Sequence, residues 1–365
     1  MGNILQFIQK RKIHNFIQGM CEDELNTMLS NKKQILSWSS LSYCSNKGIC
    51  TMNVAMPDFS AEYWVCYIPK NVSPIFAVKF PSWSLYTAIT LYDSYGIPFS
   101  SVNNVEIKVD NKKVFKNLDR SYIIDFSDDI KTNDILVAVF RVYRPANVTI
   151  TPANELPLLY FVDRNKPVLH FDNLVKQSSR KYATERGKEV GKKFNMFIEK
   201  YLKSIDNSRI GTQFFYPKIM TGLFPNTNAT YVSAFLPNDK TCMIINGKVP
   251  KKQVWRPYYS IMTTEYSTTK TISSMTFEEL GNWNNKFELY ISRTKEEAIR
   301  CGYNQDNKHH KLLLWKKAKG LLCVVTRYIH YKSYKNAEKE INDLKTLDGS
   351  KIDMNIQGIG TINYV

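Results

Sequence analysis

A block of strand-like segments occurs twice along the chain, in the same order, and this repetition limits the fold more than any other property of the sequence. The first block opens with AEYWVCYIP at 61–69 and the second with ATYVSAFLP at 229–237, which share Ala, Tyr and Pro in register. A strand then leads to a proline, Pro81 or Pro250, followed by Trp83 or Trp255. YTAITLY at 86–92 matches YSIMTTEY at 259–266, and VEIKV at 105–109 finds a counterpart in FELYI at 287–291. ILVAVFR at 135–141 and LLCVVTR at 321–327 close the blocks, each ending on an arginine. Correspondences in one order point to duplication of a single domain.

The repeated segments are short and rich in β-branched and aromatic residues, the types that fit a pleated, half-buried surface. Turn signals separate them at Pro69 to Pro74, Gly96-Ile97-Pro98, Asp110-Asn111 and Asn133-Asp134, and strands at this spacing predict a sandwich or barrel. The spacing predicts a first β-sandwich over 50–150 and a second over 211–335. Around them, residues 1–45 read as an amphipathic helical segment, with Ile4, Leu5, Ile8, Phe16, Ile17 and Met20 at helical spacing. Residues 151–210 read as a proline-punctuated linker and a basic helix, and 336–365 as a C-terminal helix and tail. The second copy carries an insertion, TKEEAIRCGY at 294–303, in which Thr294 and Glu297 have the spacing of a capping box. The fold class is therefore mainly β: two tandem related sandwiches, an N-terminal helical segment and a helical segment between the domains.

The 365 residues carry 50 Lys and Arg against 33 Asp and Glu, a formal net charge of +17. A field of that sign attracts nucleic acid, anionic lipid or an acidic protein, but the charge is spread along the chain, as solvated surface lysines are. Seven cysteines form no CxxC pair, which suits reduced thiols in a reducing compartment. The N-terminus lacks the apolar core of a secretory signal and no apolar run is long enough to span a bilayer. The expected location is cytoplasmic or virion-associated, not secreted, with the sequons at Asn71, Asn147 and Asn228 unused. Gln6 stands where myristoylation after Met1-Gly2 expects Ser or Thr. The abundance of Asn, Ile, Lys, Ser and Tyr is similar to that of proteins from large DNA viruses.

Several motifs together resemble a paired bacterial family of unknown function, in which domain of unknown function twelve-fifty-four precedes twelve-fourteen. In the first half they are Pro57-Asp58 with Tyr63, then Phe80-Pro81, Tyr86 and Leu91-Tyr92-Asp93, and finally Val139-Phe140-Arg141-Val142-Tyr143. In the second half they are Trp255 to Met262 and Val324-Val325-Thr326-Arg327-Tyr328. The resemblance runs from about residue 50 to 332, excluding the helical middle. It implies two jelly-roll-like sandwiches and an oligomer, with no catalytic residues to carry over.

No catalytic, cofactor-binding or metal-binding residues emerge from the motifs. The GKEVGKK run at 187–193 lacks phosphate-loop spacing. His309-His310 sits in a lysine-rich stretch that reads as a solvated turn, and adjacent histidines on a strand point to opposite faces. No GxSxG elbow is present. The acidic pairs Asp128-Asp129, Glu278-Glu279 and Glu296-Glu297 read as turn or helix-start residues, and Asp93 as a turn acceptor. Arg141 and Arg327 end equivalent strands, where each guanidinium is expected to meet an acid or carbonyl between sheets. The aromatics Tyr63, Trp64, Trp83, Tyr86 and Tyr92 read as sandwich core and rim.

Three functions fit these features. The first is a non-enzymatic structural or interaction protein, such as a virion component, with protein partners or self-association. The second is a ligand-binding or hydrolytic enzyme with a cavity in or between the sandwiches. The third is a nucleic-acid-associated protein that uses its basic surface. No cofactor and no metal is expected.

Overall fold

The computed structural model describes residues 39–43, 56–68, 72–93, 96–104, 107, 114–116, 122–130, 136–145, 156–163, 226–236, 240–249, 257–265, 270–315, 322–329 and 361–364. Within them the chain is mainly β. The first half contributes β1 (Ser39–Tyr43), β2 (Ala61–Ile68), β3 (Val72–Val78), β4 (Tyr86–Tyr92), β5 (Pro98–Asn103), β6 (Val114–Lys116), β7 (Tyr122–Asp125), β8 (Leu136–Tyr143) and β9 (Leu158–Asp163). The second contributes β10 (Ala229–Leu236), β11 (Cys242–Lys248), β12 (Tyr258–Glu265), β13 (Lys270–Thr276), β14 (Lys286–Ser292), the helix α1 (Lys295–Arg300), β15 (His310–Leu314), β16 (Leu322–Ile329) and β17 (Thr361–Tyr364).

Each half forms two sheets. The first has an inner sheet ordered β1-β2-β8-β4-β5 and an outer sheet ordered β6-β7-β3-β9. The second repeats the plan, with an inner sheet β10-β16-β12-β13 and an outer sheet β15-β14-β11-β17. Alternation along the strands fills the space between each pair of sheets. Trp64, Cys66, Ile89, Leu91, Ala138 and Phe140 of the first inner sheet meet Phe76, Val78 and Ile124 of its outer sheet, with Phe76 and Phe126 edge to face at 5.8 Å.

The inner strands differ from an ordinary sandwich sheet in being buried on both faces. Every residue of β2, β4, β8 and β16 is buried. A strand with only one face on a core alternates buried and exposed positions, so a second layer must cover the other face. That layer is the inner sheet of the other half: Tyr63, Tyr86 and Tyr143 of the first copy share a cluster with Tyr258 of the second, and the Tyr143 and Tyr258 rings meet edge to face at 4.9 Å.

Ladder register makes the duplication explicit. In the first copy Tyr63 of β2 and Ala88 of β4 lie opposite Arg141 of β8. In the second, Tyr231 of β10 and Ser260 of β12 lie opposite Arg327 of β16. Tyr86 therefore corresponds to Tyr258, one residue earlier than the sequence match to Tyr259. The tandem tyrosines Tyr258-Tyr259 allow either alignment, and only the pairing with β16 decides. VEIKV at 105–109 falls mostly outside the described residues.

Three expected non-strand regions contain strands. Ser39–Tyr43, within the expected N-terminal helical segment, pairs with β2. Leu158–Asp163, within the expected linker, pairs with β3. Its prolines suggested a linker, yet Pro157 immediately precedes the strand, where a missing N–H is tolerated. Thr361–Tyr364, within the expected C-terminal helix, pairs with β11 and is too short to show periodicity. The expected helices over 3–36 and 172–205 lie outside the described residues. Pro74, taken as a turn signal, is inside β3 opposite Phe161. β7 pairs only with Ile75–Val78, so at Pro74 that side of β3 has no ladder to interrupt.

The copies diverge at one outer edge. β6 runs antiparallel to β7, whereas β15 runs parallel to β14. A parallel neighbour needs a crossover, and the inserted helix α1 supplies it. Its capping box forms as the sequence predicts: the Glu297 N–H donates to Thr294 Oγ1 and the Thr294 N–H to Glu297 Oε2, both at 3.1 Å. In the same sheet Gly247 lies opposite Phe287, and a Cβ there would sit 2.5 Å from the ring's Cζ. Gly247→Ala is expected to destabilise the protein by about 1–3 kcal/mol through overpacking, read by urea denaturation. Phe287→Leu in the same chain should recover part of that loss.

Candidate functional site

Among the described residues, the largest gathering of buried polar groups lies between the two inner sheets, and it is assembled from the segment that precedes β2. Asp58 folds this segment into a turn by accepting the Ser60 N–H at 3.0 Å, while its own carbonyl accepts the Ala61 N–H at 3.1 Å. The second copy builds the same turn at Asn226, whose Oδ1 accepts the Asn228 N–H at 3.0 Å and whose carbonyl accepts the Ala229 N–H at 3.0 Å. Asx side chains favour such turns because they bond the backbone two residues on. Both turns then reach across to the other copy.

From the first copy, the Asp58 carboxylate accepts from Ser260 Oγ at 2.6 Å and Ser274 Oγ at 3.3 Å. The Pro57 carbonyl accepts from Thr271 Oγ1 at 2.7 Å. Met56 adopts the left-handed φ of 53°, and its carbonyl accepts Arg327 Nη2 at 2.8 Å. Arg327 Nη1 donates to Tyr63 Oη at 2.8 Å and to Tyr143 Oη at 3.4 Å, and it lies 3.6 Å from Asp58 Oδ2. Tyr63 and Tyr143 are themselves hydrogen-bonded at 3.0 Å. From the second copy, Asn226 and Asn228 offer their side-chain oxygens to the Tyr86 hydroxyl at 3.1 and 3.0 Å. The turn of each half thus binds the inner sheet of the other. Asn228 is buried in this contact, so its sequon is closed to modification in the folded chain.

The two arginines occupy equivalent places and keep different company. The Arg327 guanidinium lies 5.2 Å from the Tyr231 ring centroid and 6.0 Å from that of Tyr143. Arg141 donates to Tyr92 Oη at 2.6 Å, with its guanidinium 5.4 Å from the Tyr92 ring centroid and 6.0 Å from that of Tyr63. The expected acid-or-carbonyl contact is made at Arg327, by the Met56 carbonyl and Asp58. It is made between domains rather than within one sandwich.

Burial sets the chemistry of this cluster. Burial pushes the hydroxyls of Tyr143 and Tyr258 well above the usual phenol range. It also raises that of Tyr63, although the Arg327 charge pulls in the opposite direction. The Tyr258 hydroxyl lies beside the Asp58 carboxylate, which after burial adds to its rise. Burial acts against the Arg327 cation, but the oxygens of Tyr143, Tyr63, Tyr231 and Asp58 more than offset it. The site holds two fixed cations, Arg141 and Arg327, beside the Asp58 side chain with its donors and a set of phenols whose ionisation burial opposes. It binds two protein surfaces together.

A second cluster lies on the outer face of the second sandwich, beneath α1. Tyr290 Oη donates to Glu288, and its ring packs against Tyr303 at 5.5 Å and His310 at 5.1 Å. Burial, followed by the Glu288 carboxylate, raises the Tyr290 pKa. His310 Nδ1 accepts the Asn304 N–H at 2.9 Å, so the neutral ring carries its proton on Nε2, which faces Glu288 at 3.9 Å. His310 is therefore not a solvated turn residue: it opens β15 opposite Glu288, with its side chain only 13% exposed. His309 remains exposed and rests against the Lys286 carbonyl at 3.1 Å.

Most of the acidic residues singled out in the sequence take local roles, whereas Asp129 accepts a hydrogen bond from Ser100 of β5. Asp93 accepts the Ile97 N–H at 2.8 Å within its turn. Ser127–Asp129 form a single 3-10 turn. Glu279 accepts the Thr276 N–H at 2.7 Å, and Glu297 completes the cap of α1. Trp64 and Tyr92 are buried, the first in the core of the first sandwich. Among the described residues no three His, Cys, Asp or Glu side chains gather as a metal site, and no helix is long and apolar enough to cross a membrane.

The roles of Asp58, Tyr143, Tyr258 and Asn226 do not emerge from motif reading. A signal for them exists, because PDFSAEY at 57–63 and PNTNATY at 225–231 repeat Pro, an Asx residue, Ala and Tyr. The repeat therefore begins before the strands and includes the turns that join the halves.

Comparison with known protein families finds no match, and no curated protein matches the chain. Among solved structures, the chain is similar to an uncharacterized protein from Burkholderia cenocepacia, with 10% identity and a TM-score of 0.50 over 88% of this chain and 84% of that one. It also aligns with a Vibrio parahaemolyticus protein at 8% identity and a TM-score of 0.45, over 98% of both chains. The first of these likenesses identifies a shared fold and nothing further.

Proposed function

We propose that this chain is a non-catalytic structural or interaction protein, a rigid pair of sandwiches that offers its outer sheets and edge strands to protein partners or to further copies of itself, as a component of a virus particle would. One observation carries the reading. Among the described residues, the cluster of Asp58, Tyr63, Tyr143, Arg141 and Arg327 is buried between the two inner sheets, with each residue at most 8% exposed. An enzyme built on this cluster would have to open the interface that holds its halves together. The exposed apolar residues Ile97 and Phe99, 40% and 38% exposed at the start of the edge strand β5, add support, since unpaired strand edges recruit other strands.

The test is mass in solution across a wide protein concentration range, with fluorescence anisotropy on a labelled oligonucleotide in parallel. The expected result is a mass at multiples of 42.4 kDa and no salt-dependent oligonucleotide binding. A monomer at every concentration that binds the oligonucleotide, with affinity falling steeply as salt rises, would overturn the proposal and favour phosphate neutralisation by the +17 charge.

A further inference from the structure

Cys242 opens β11, and Cys301 follows directly on α1, the helix inserted only in the second copy. Cys242 is buried with Ile244, Tyr290 and Ala298, and Cys301 packs against the same group, partly exposed. The two cysteines share this one cluster, and the Cys301 sulfur acts on the Cys242 thiol. Cys66 and Cys323 lie apart from this cluster, in inner strands, and all three buried thiols, Cys242 included, direct Sγ at the next backbone carbonyl.

We propose that Cys242 and Cys301 form a dithiol site that reacts with small disulfides of the glutathione type and closes into a reversible disulfide tying α1 to β11. Cys301 is the attacking thiol because it is the one solvent reaches. Its thiolate attacks one sulfur of the incoming disulfide, the S–S bond breaks, and one small-molecule thiolate leaves with the electron pair. A mixed disulfide remains on Cys301. Cys242 then gives up its proton to solvent and attacks the Cys301 sulfur, displacing the second small thiolate. Two protein thiols are oxidised and one disulfide is reduced to two thiols, so electrons and atoms balance.

The order of attack follows from the environment. Burial, then the neighbouring Cys301 sulfur, pushes the Cys242 thiol up to about 12, so it is a poor first nucleophile. Once Cys301 is in a mixed disulfide its charge and hydrogen bond are gone, and that part of the penalty on Cys242 is relieved. Glu297 and Tyr290 face the same sulfurs. The chain then links the start of β11 to the end of α1, across the whole insertion that covers Glu288, Tyr290 and His310. The consequence is a cap on the second outer sheet that is held by packing alone when reduced and tied covalently when oxidised.

The experiment treats the reduced full-length chain with oxidised glutathione and follows intact mass and the peptide map. Expected are a product lighter by about 2 Da, the two thiol hydrogens lost on disulfide closure, and one linked peptide pair containing Cys242 and Cys301, both reversed by dithiothreitol. Cys242→Ala should instead stop at a stable glutathione adduct on Cys301, and Cys301→Ser should yield neither product at this site. A glutathione adduct that persists on Cys301 in the unsubstituted chain, or no linked pair while other thiols oxidise, would overturn the proposal.

Discussion

Arg327→Met is expected to destabilise the protein by about 3–5 kcal/mol, the usual cost of removing one partner from a buried ion pair and leaving the other charge uncompensated. The loss is specific in origin. Asp58 would keep its Ser260 and Ser274 donors but lose the cation 3.6 Å away. The Met56 carbonyl and the hydroxyls of Tyr63 and Tyr143 would each lose a charged donor. All of these groups are buried, so water cannot replace what is removed. Methionine is the appropriate replacement because it keeps much of the volume, and a loss measured by urea denaturation then reports polar contacts rather than a cavity.

A double-mutant cycle separates the pair from its surroundings. Asp58→Asn alone removes the carboxylate charge and keeps the turn, since Asn226 performs the same turn in the other copy. If Asp58 and Arg327 stabilise each other, Asp58→Asn combined with Arg327→Met should cost less than the two single losses added, by roughly 1–3 kcal/mol. Additive losses, or an Arg327→Met cost below about 1 kcal/mol, would mean that the halves are joined by aromatic packing and that the ion pair is incidental.

How far the sequence foretells this arrangement depends on the scale considered. The repeated inner strands β2, β4, β8, β10, β12 and β16 follow from β-branched and aromatic content, and the capped helix α1 from four residues of local sequence, whereas β1, β9 and β17 do not. Those signals are local, because backbone and side chain select a conformation within a few positions. The duplication is legible because Ala61, Tyr63 and Arg141 recur as Ala229, Tyr231 and Arg327. What faces what is not legible. The run VAVFRVY reads as a strand of a half-buried sheet, and only the opposing inner sheet explains why both of its faces are covered. His310 reads as a turn residue because the partner that orders it, Glu288, is supplied by a parallel ladder that no periodicity announces. The joining site failed to emerge for a further reason. Its components come from residues about two hundred apart, such as Asp58 and Ser260, and each looks like ordinary turn or strand chemistry by itself.

Stability is expected to fall steeply above about pH 9, and the same interface is the main cause. Burial, the largest influence in each case, places the hydroxyls of Tyr143 and Tyr258 well above the phenol range and that of Tyr92 at about 12. The unfolded chain releases these protons near pH 10 while the folded chain still holds them. Above that point the unfolded state binds fewer protons than the native state, so each further rise in pH favours unfolding. The contribution is fully present below pH 10 and declines toward the folded values. By pH 11 each such tyrosine costs about 1.4 kcal/mol relative to neutral pH, or roughly 4 kcal/mol for three, and Tyr63 acts in the same direction. The buried thiols Cys66 and Cys323, raised by burial, the latter to about 12, begin the decline nearer pH 9. Together these losses approach the total stability of an ordinary domain, on the order of 5–15 kcal/mol.

The measurement is tyrosinate absorbance after a jump to high pH, recorded beside a tertiary-structure signal. Of the 22 tyrosines, the exposed ones should ionise at once and reversibly. Those between the inner sheets should ionise only as tertiary structure is lost, in a slower phase that matches unfolding. Tyr143→Phe should reduce the slope of stability against pH above 10 by about one proton, or 1.4 kcal/mol per pH unit, while costing about 1 kcal/mol at neutral pH for its lost hydrogen bonds. Simultaneous ionisation of all tyrosines near pH 10 with the fold intact would show that water reaches the space between the sheets. The cluster would then be an open cleft able to admit a ligand, and the argument for a purely structural interface would fail at its base.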